Sequence, residues 1–314
     1  MPAPSRKSSE AVAGFQRISV CVCTYRRPQQ LAALIKRLAE QQPPPILELV
    51  VVDNDAHGSA AGVVAAAIAP FPLRYSVQPV KNIALTRNQA LAAASGDWIA
   101  FLDDDELPLP DWLQQLWRTA ELHSADGVLA PVISQVPDDA PDWIKAGNFF
   151  ARRRFTTGTV VPRNEYRIGN ALLRADCLKA LDGPFDAAYG LTGGEDGDLL
   201  CRYADQGARL VWCDEAVVTE PVEHSRLNRH WLLKRAWRGG NDYARHYFAG
   251  RYGPLPLLAG PRFMVRTALQ WLAAAALQGA TLPVQRCHFH WQRKAAAQRG
   301  KLAALRGSRY EEYR

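Results

Sequence analysis

No glycine-rich phosphate loop follows the first strand-like segment of this 314-residue chain, where residues 23–28 read Cys-Thr-Tyr-Arg-Arg-Pro. That absence argues against a dinucleotide dehydrogenase and against a P-loop nucleotide hydrolase. The six cysteines, Cys21, Cys23, Cys177, Cys201, Cys213 and Cys287, lack the paired loop spacing of structural zinc. Most sit in apolar, strand-like runs and read as reduced core residues of a cytosolic protein; Cys21 and Cys23 share one strand face, where a disulfide is not expected. Residues 1–16 contain no apolar stretch of the secretory type, so a short disordered tail is expected there. A long uninterrupted apolar run is also missing. The most apolar segment, 255–277, is broken by Arg262, Arg266 and Gln270. On a helix these three form one polar stripe, so the segment is expected to lie on a membrane surface or against the protein rather than to span.

With 48% hydrophobic and 22% charged residues, the chain has ample core for one large α/β domain, or for one domain with an appended module. The net charge of +7 hides an asymmetry. Residues 1–225 carry 21 Lys and Arg against 28 Asp and Glu, whereas residues 226–314 carry 17 against 3. The basic tail can attract nucleic acid, an anionic bilayer or phosphorylated substrates, and charge alone does not choose among them.

Strand-like and helix-like patterns alternate. A β-branched run at 18–24 is followed, after Pro28, by Leu31, Leu34, Ile35 and Leu38 at helical spacing. A second strand is expected at 47–52, an alanine-rich helix at 59–69, a third strand at 73–77, a helix at 82–94 and a fourth strand at 98–102. This order implies βαβ units and a largely parallel sheet, with ligands gathering outside the carboxyl ends of its strands. Three of those ends carry polar groups: Thr24-Tyr25-Arg26, Asp53-Asn54-Asp55 and Asp103-Asp104-Asp105. Residues 132–168, proline-rich and containing Arg152-Arg153-Arg154, look like an irregular binding excursion.

The fourth strand ends in four consecutive carboxylates, Asp103 to Glu106. Four such groups repel one another at neutral pH, whereas two at i and i+2 can share a hard divalent ion such as Mg²⁺ or Mn²⁺. A solvated acidic turn before a helix starting near Pro110 is the plainer alternative. A second glycine-rich, acidic run, Tyr189 to Asp198, leads into a helix. One acid there would cap the helix, but Glu195, Asp196 and Asp198 exceed what a cap needs.

Taken in order, residues 18–28, 50–55, 82–88, 96–106 and 193–196 make the chain resemble the family-2 inverting glycosyltransferases of the GT-A fold, over about residues 17–225. The segments 232–240 and 300–305 resemble the bacterial exopolysaccharide, succinoglycan-type glucosyltransferases within it. The resemblance implies a tail (1–16), a GT-A catalytic domain (17–225) with a Rossmann-like, mostly parallel sheet flanked by helices, and a basic, amphipathic helical extension (226–314). It implies that Thr24, Tyr25, Asp53, Asn54, Asn82, Arg87, Asp103 and Asp104 hold the nucleotide-sugar. Asp103, Asp105 and His224 would hold Mn²⁺ or Mg²⁺, with Asp196 as catalytic base and Glu195 and Asp198 at the acceptor or behind the base. Arg226, Arg235 and Arg238 are candidates for phosphate contact. Many relatives carry an acid where this chain has Asn54, which leaves the base preference open between UDP and another nucleotide.

The expected activity is transfer of a hexose from UDP-hexose to a saccharide hydroxyl in exopolysaccharide synthesis. The expected acceptor is polyprenyl-diphosphate-linked, with the C-terminal helices on the inner face of the cytoplasmic membrane and no nucleic-acid partner. Metal-dependent nucleotidyl transfer, or nucleic-acid binding through the tail, are the competing classes; the first would need a phosphate-gripping N-terminus and the second a recognition module, and neither is found.

Overall fold

The computed structural model describes residues 17–43 and 45–310, so the N-terminal tail expected at 1–16 lies outside the described residues. The βα alternation is realised as β1 (Ile18–Thr24), α1 (Pro28–Ala39), β2 (Ile46–Asp53), α2 (Ala61–Ala66), β3 (Leu73–Val77), α3 (Ile83–Ala93) and β4 (Trp98–Asp103). Pro28 occupies the first turn of α1, where its missing N–H costs nothing, and Leu31, Leu34, Ile35 and Leu38 form the buried face. The chain continues through β5 (Leu107–Pro108), α4 (Trp112–Leu122), β6 (Gly127–Leu129), β7 (Val132–Gln135), α5 (Asp142–Gly147), β8 (Asn170–Arg174), α6 (Ala175–Lys179), α7 (Glu195–Asp205), β9 (Leu210–Trp212) and β10 (Val218–Pro221). It ends in three long helices, α8 (Arg229–Phe248), α9 (Ala259–Ala280) and α10 (Gln285–Leu305).

Among the described residues, seven strands form one sheet in the order β3-β2-β1-β4-β8-β6-β9. All pairings are parallel except those of β8, which runs against both neighbours. The buried strands are apolar on both faces, as a helix-covered sheet requires, and each face supports its own core cluster. Register places Thr24 beside Asp53 and Cys23 beside Asp103, so the three polar strand ends meet along one edge as expected.

Several expectations are corrected. The 132–168 excursion contains β7 and α5, and β7 joins β5 and β10 in a second, three-stranded sheet. The helix expected at 59–69 is confined to six residues. Of the cysteines, only Cys21 and Cys23 lie in a strand; Cys177, Cys201 and Cys287 are helical, and Cys213 follows β9.

The C-terminal helices pack onto the rest of the molecule. Phe289 of α10 joins Ile144, Val222 and Leu232 in a third apolar cluster, with Trp143 and Phe149 against it. Helices α8 and α10 cross at Gly240 and Gly300; a Cβ on either would lie 1.9 Å from a carbonyl oxygen of the facing helix. Such backbone approach is open only to glycine. Helix α9 leaves Val265, Leu269 and Leu272 exposed. No helix among the described residues is long and apolar enough to cross a membrane.

Candidate active site

The edge where β1, β2 and β4 end is a network of acids held by two arginines. Arg27, just before α1, donates to Asp104 (3.1 Å), Asp105 (2.9 Å) and Glu223 (3.0 Å). Asp104 also accepts from Thr24 Oγ1 at 2.8 Å. Arg87 on the buried side of α3 reaches across the site, donating to Glu195 with one terminal nitrogen and to Asp103 with the other at 3.1 Å. Asp103 stays about half exposed, with its side chain open to the cleft. Burial, reinforced by the charge of Asp103 and opposed by Arg27, pushes the Asp105 carboxyl up to about 7. Glu106 is raised by burial and by Asp103 in turn, while its Oε2 accepts from the Asp103 N–H.

The β2 loop is braced. Asp53 is fully buried and accepts from the backbone N–H groups of Asp55 and Ala60 and from the hydroxyls of Ser59 and Tyr75. Asn54 donates to the carbonyls of Gln78 (2.9 Å) and Val80 (2.7 Å) and accepts from the Asn82 N–H. A carboxylate has no proton for those two carbonyls, which gives a physical reason for an amide at this position. Asn82 in turn caps α3, accepting from the Leu85 N–H, and donates to the Ala187 carbonyl. Asn54 and Asn82 therefore shape the site with their side-chain amides. Tyr25, half-buried, has Lys81 4.7 Å and Arg26 5.1 Å from its ring centroid.

Helix α7 opens after Gly193 and Gly194, both at positive φ, and carries Glu195, Asp196 and Asp198 in its first turn, near the positive end of the helix dipole. Asp196 is partly exposed, and its Oδ1 accepts its neighbour's N–H. Glu195 is buried beneath it on Arg87, and burial raises its carboxyl against the pull of that arginine. Asp198 is buried in that first turn, and its oxygens bond Arg202 (2.8 Å) and Arg251 (2.6 Å). Helix α8 fixes the same loop. Arg245 donates to Thr192 at 2.7 Å, and His246 Nε2 lies 2.9 Å from the Gly194 carbonyl.

His224 does not join the aspartates. Its ring sits on Asp139 at 3.0 Å, exposed. Among the described residues, no group of three or more His, Cys, Asp or Glu side chains is arranged to hold a metal ion. Asp103 and Asp105 remain as two hard oxygen donors, one open and one held by Arg27, its charge discouraged first by burial and then by Asp103. That donor set fits a divalent cation that takes further ligands from substrate phosphates.

Comparison with known proteins agrees with this geometry. Residues 19–173 match the model of glycosyl transferase family 2. The succinoglycan biosynthesis protein ExoM of Rhizobium meliloti (strain 1021) is 38% identical over 235 residues, covering 73% of this chain and 74% of that protein. The chain belongs to glycosyl transferase family 2. A glucosyl-dolichyl phosphate glucuronosyltransferase of Haloferax volcanii is 24% identical over 253 residues, 71% of this chain and 75% of that one. The mannosyltransferase PcManGT from Pyrobaculum calidifontis, solved with GDP-Man and Mn²⁺, superposes with a TM-score of 0.65 at 20% identity, covering 97% and 90% of the two chains. S. aureus TarS 1-349 with UDP gives 0.54 at 18%, covering 94% and 93%. The fold is thus GT-A, and the family 2 chain is a glycosyltransferase of polysaccharide synthesis.

Sequence reasoning missed Arg27, Arg245 and His246. Arg27 lay in the first quoted motif, and a cation at one strand end opposite acids at another was the available signal.

Proposed function

We propose that the protein is an inverting, metal-dependent hexosyltransferase that uses a nucleoside diphosphate sugar, UDP-hexose, and a lipid-linked saccharide acceptor. One observation carries the reading: Arg87 ties the first turn of α7, where Asp196 sits, to Asp103 at the donor edge. The proposed base and the proposed donor end are held in one frame.

The donor nucleotide would lie along the ends of β1 and β2, with Tyr25 and Lys81 at the base and the braced Asp53–Asn54–Asp55 loop beneath. Asp103 and Asp105 would hold Mn²⁺ or Mg²⁺, which supplies Lewis-acid stabilisation of negative charge on the departing diphosphate. Asp196 takes the proton of an acceptor hydroxyl as that oxygen attacks the anomeric carbon from the side opposite the leaving group, so an α-linked donor gives a β-glycoside. General-base assistance of this kind is worth about 10²–10⁴-fold. Glu195 and Arg87 position the loop that presents Asp196. The exposed Val265, Leu269 and Leu272 of α9, with Arg262 and Arg266 on the same helix, support peripheral contact with an anionic membrane face.

Calorimetric titration of UDP and GDP with and without Mn²⁺, on wild type, Asp105→Asn and Asp196→Asn, tests the reading. Metal-dependent UDP binding that Asp105→Asn loses and Asp196→Asn keeps, with sugar transfer abolished in both, is the expected result. GDP in place of UDP would revise the donor, and no nucleotide binding at all would overturn the mechanism. For the membrane contact, Val265→Glu/Leu269→Glu should sediment less with anionic liposomes; unchanged sedimentation removes that part.

A further inference from the structure

A cavity of about 430 Å³ opens between β7, α5 and the loop that precedes β8. Its size is that of a small-molecule site. Ile133, Val136, Phe149 and Phe150 give it apolar walls, and Arg152 and Arg167 line it too. It borders the donor edge through Gly169, which also lines it: a Cβ there would lie 3.3 Å from Asp103 Oδ2. The donor proposal leaves this space unused.

Cations are concentrated at its mouth. Glu220 faces both Arg152 (3.7 Å) and Arg226 (3.1 Å). Arg226 and Arg235 both lie over the Trp231 ring, at 5.8 and 5.1 Å, and Trp231 packs on Phe150 of the cavity wall at 5.8 Å. Among the described residues, Arg235 has no carboxylate within ion-pair distance. Loss of solvent, followed by the charges of Arg152 and Arg238, pushes its guanidinium down to about 10. The same two kinds of cause, burial and then Arg152, lower Arg167, which Asp196 partly offsets. Arg152 and Arg167 each have one carboxylate at the edge of ion-pair range, Glu220 at 3.7 Å and Glu165 at 4.0 Å. Guanidinium groups crowded together with so loose a pairing make a site for a multiply charged anion, and their forks suit phosphate oxygens.

We propose that the cavity and Arg152, Arg167 and Arg235 at its mouth form the acceptor's binding site, taking a phosphate or diphosphate ester whose apolar chain enters the cavity. The inference rests on the transferase reading and locates its acceptor. The anion would bind between the donor edge and α8, and the saccharide carried on it would extend toward Asp196.

Calorimetry on the full chain, without metal, compares farnesyl diphosphate with inorganic diphosphate; UDP with Mn²⁺ is titrated in parallel. Wild type should bind the farnesyl probe about tenfold or more tightly than inorganic diphosphate. Arg152→Gln/Arg235→Gln should weaken both by about tenfold or more and leave UDP unchanged. Ser134→Trp, which fills the cavity, should remove only the farnesyl preference. Thermal unfolding confirms that the variants are folded. Equal affinity of wild type for the two diphosphates would overturn the apolar half, leaving a soluble phosphate as the ligand. Loss of UDP binding in the arginine variant with farnesyl binding intact would assign the arginines to the donor and overturn the site. Failure of wild type to bind any nucleoside diphosphate would overturn the transferase reading itself, whatever the farnesyl probe does.

Discussion

Arg87 and Glu195 form a buried ion pair between α3 and α7, and the free arm of the arginine holds Asp103. Glu195 Oε2 is buried without a hydrogen-bond partner, so the pair already carries one unsatisfied atom. Removing the arginine would leave a buried carboxylate unpaired, which costs about 3–5 kcal/mol. Arg87→Met should therefore lower stability on that scale in urea unfolding and reduce kcat/KM for sugar transfer by about 100-fold or more. A stable, active Arg87→Met protein would contradict the bridging role.

Asn54 offers a test of loop shape with little change in size. Asn54→Asp replaces two donated hydrogen bonds with oxygens facing the Gln78 and Val80 carbonyls. The expected outcome is a loss of about 2–4 kcal/mol in stability and a higher donor KM with kcat less affected. If Asn54 instead read the base directly, the variant would change the choice among nucleotides, measured by competition among UDP, GDP and CDP.

Glu48 supplies a pH dependence remote from the site. Burial opposes its charge, but hydrogen bonds from Ser19 (2.6 Å) and Ser95 (2.7 and 2.8 Å), together with Arg74, outweigh it and hold the carboxyl below its usual value of 4.5. A depressed folded-state pKa means stability that is present above the unfolded value and lost as pH falls through the folded one. Glu48→Gln should thus be less stable than wild type by about 1–3 kcal/mol at pH 7, with the gap closing below pH 4.5. A gap that stays constant down to pH 3 would show that the charge contributes nothing.

The α8–α10 crossing connects the tail to catalysis. Gly300→Ala would put a Cβ 1.9 Å from the Trp237 carbonyl oxygen, whereas Gly279→Ala meets nothing within 4 Å. The first should destabilise by about 1–3 kcal/mol or more through overpacking and the second should not. Because Arg245 and His246 of α8 hold the loop before α7, Gly300→Ala should also speed hydrogen exchange at residues 192–197 and slow transfer.

The meeting of the three polar strand ends was legible because β1, β2 and β4 are continuous apolar runs that stop abruptly at polar residues, and parallel pairing then fixes which ends meet. The second sheet was not, since β5, β7 and β10 are two to four residues long and owe their existence to partners far along the chain. Whether Asp198 faces an acceptor or stands behind the base could not be read from sequence, because its partner Arg251 lies 53 positions downstream. The metal role of His224 rests on the family resemblance alone, and Asp139, 85 positions upstream, holds its ring.

Among the described residues, the one reversed strand of the seven-stranded sheet bears on the proposed specificity. Because β8 runs against β4, its first residue, Asn170, pairs with Leu102, and Gly169 arrives beside Asp103 at the edge where β4 ends. The loop feeding β8 builds the cavity wall, while the loops leaving β1, β2 and β4 build the edge proposed for the donor. Two sets of loops, entering from opposite directions, thus meet along one seam. If the cavity takes the acceptor as proposed, changes in residues 149–168 should retune what is glycosylated without disturbing how the sugar is delivered.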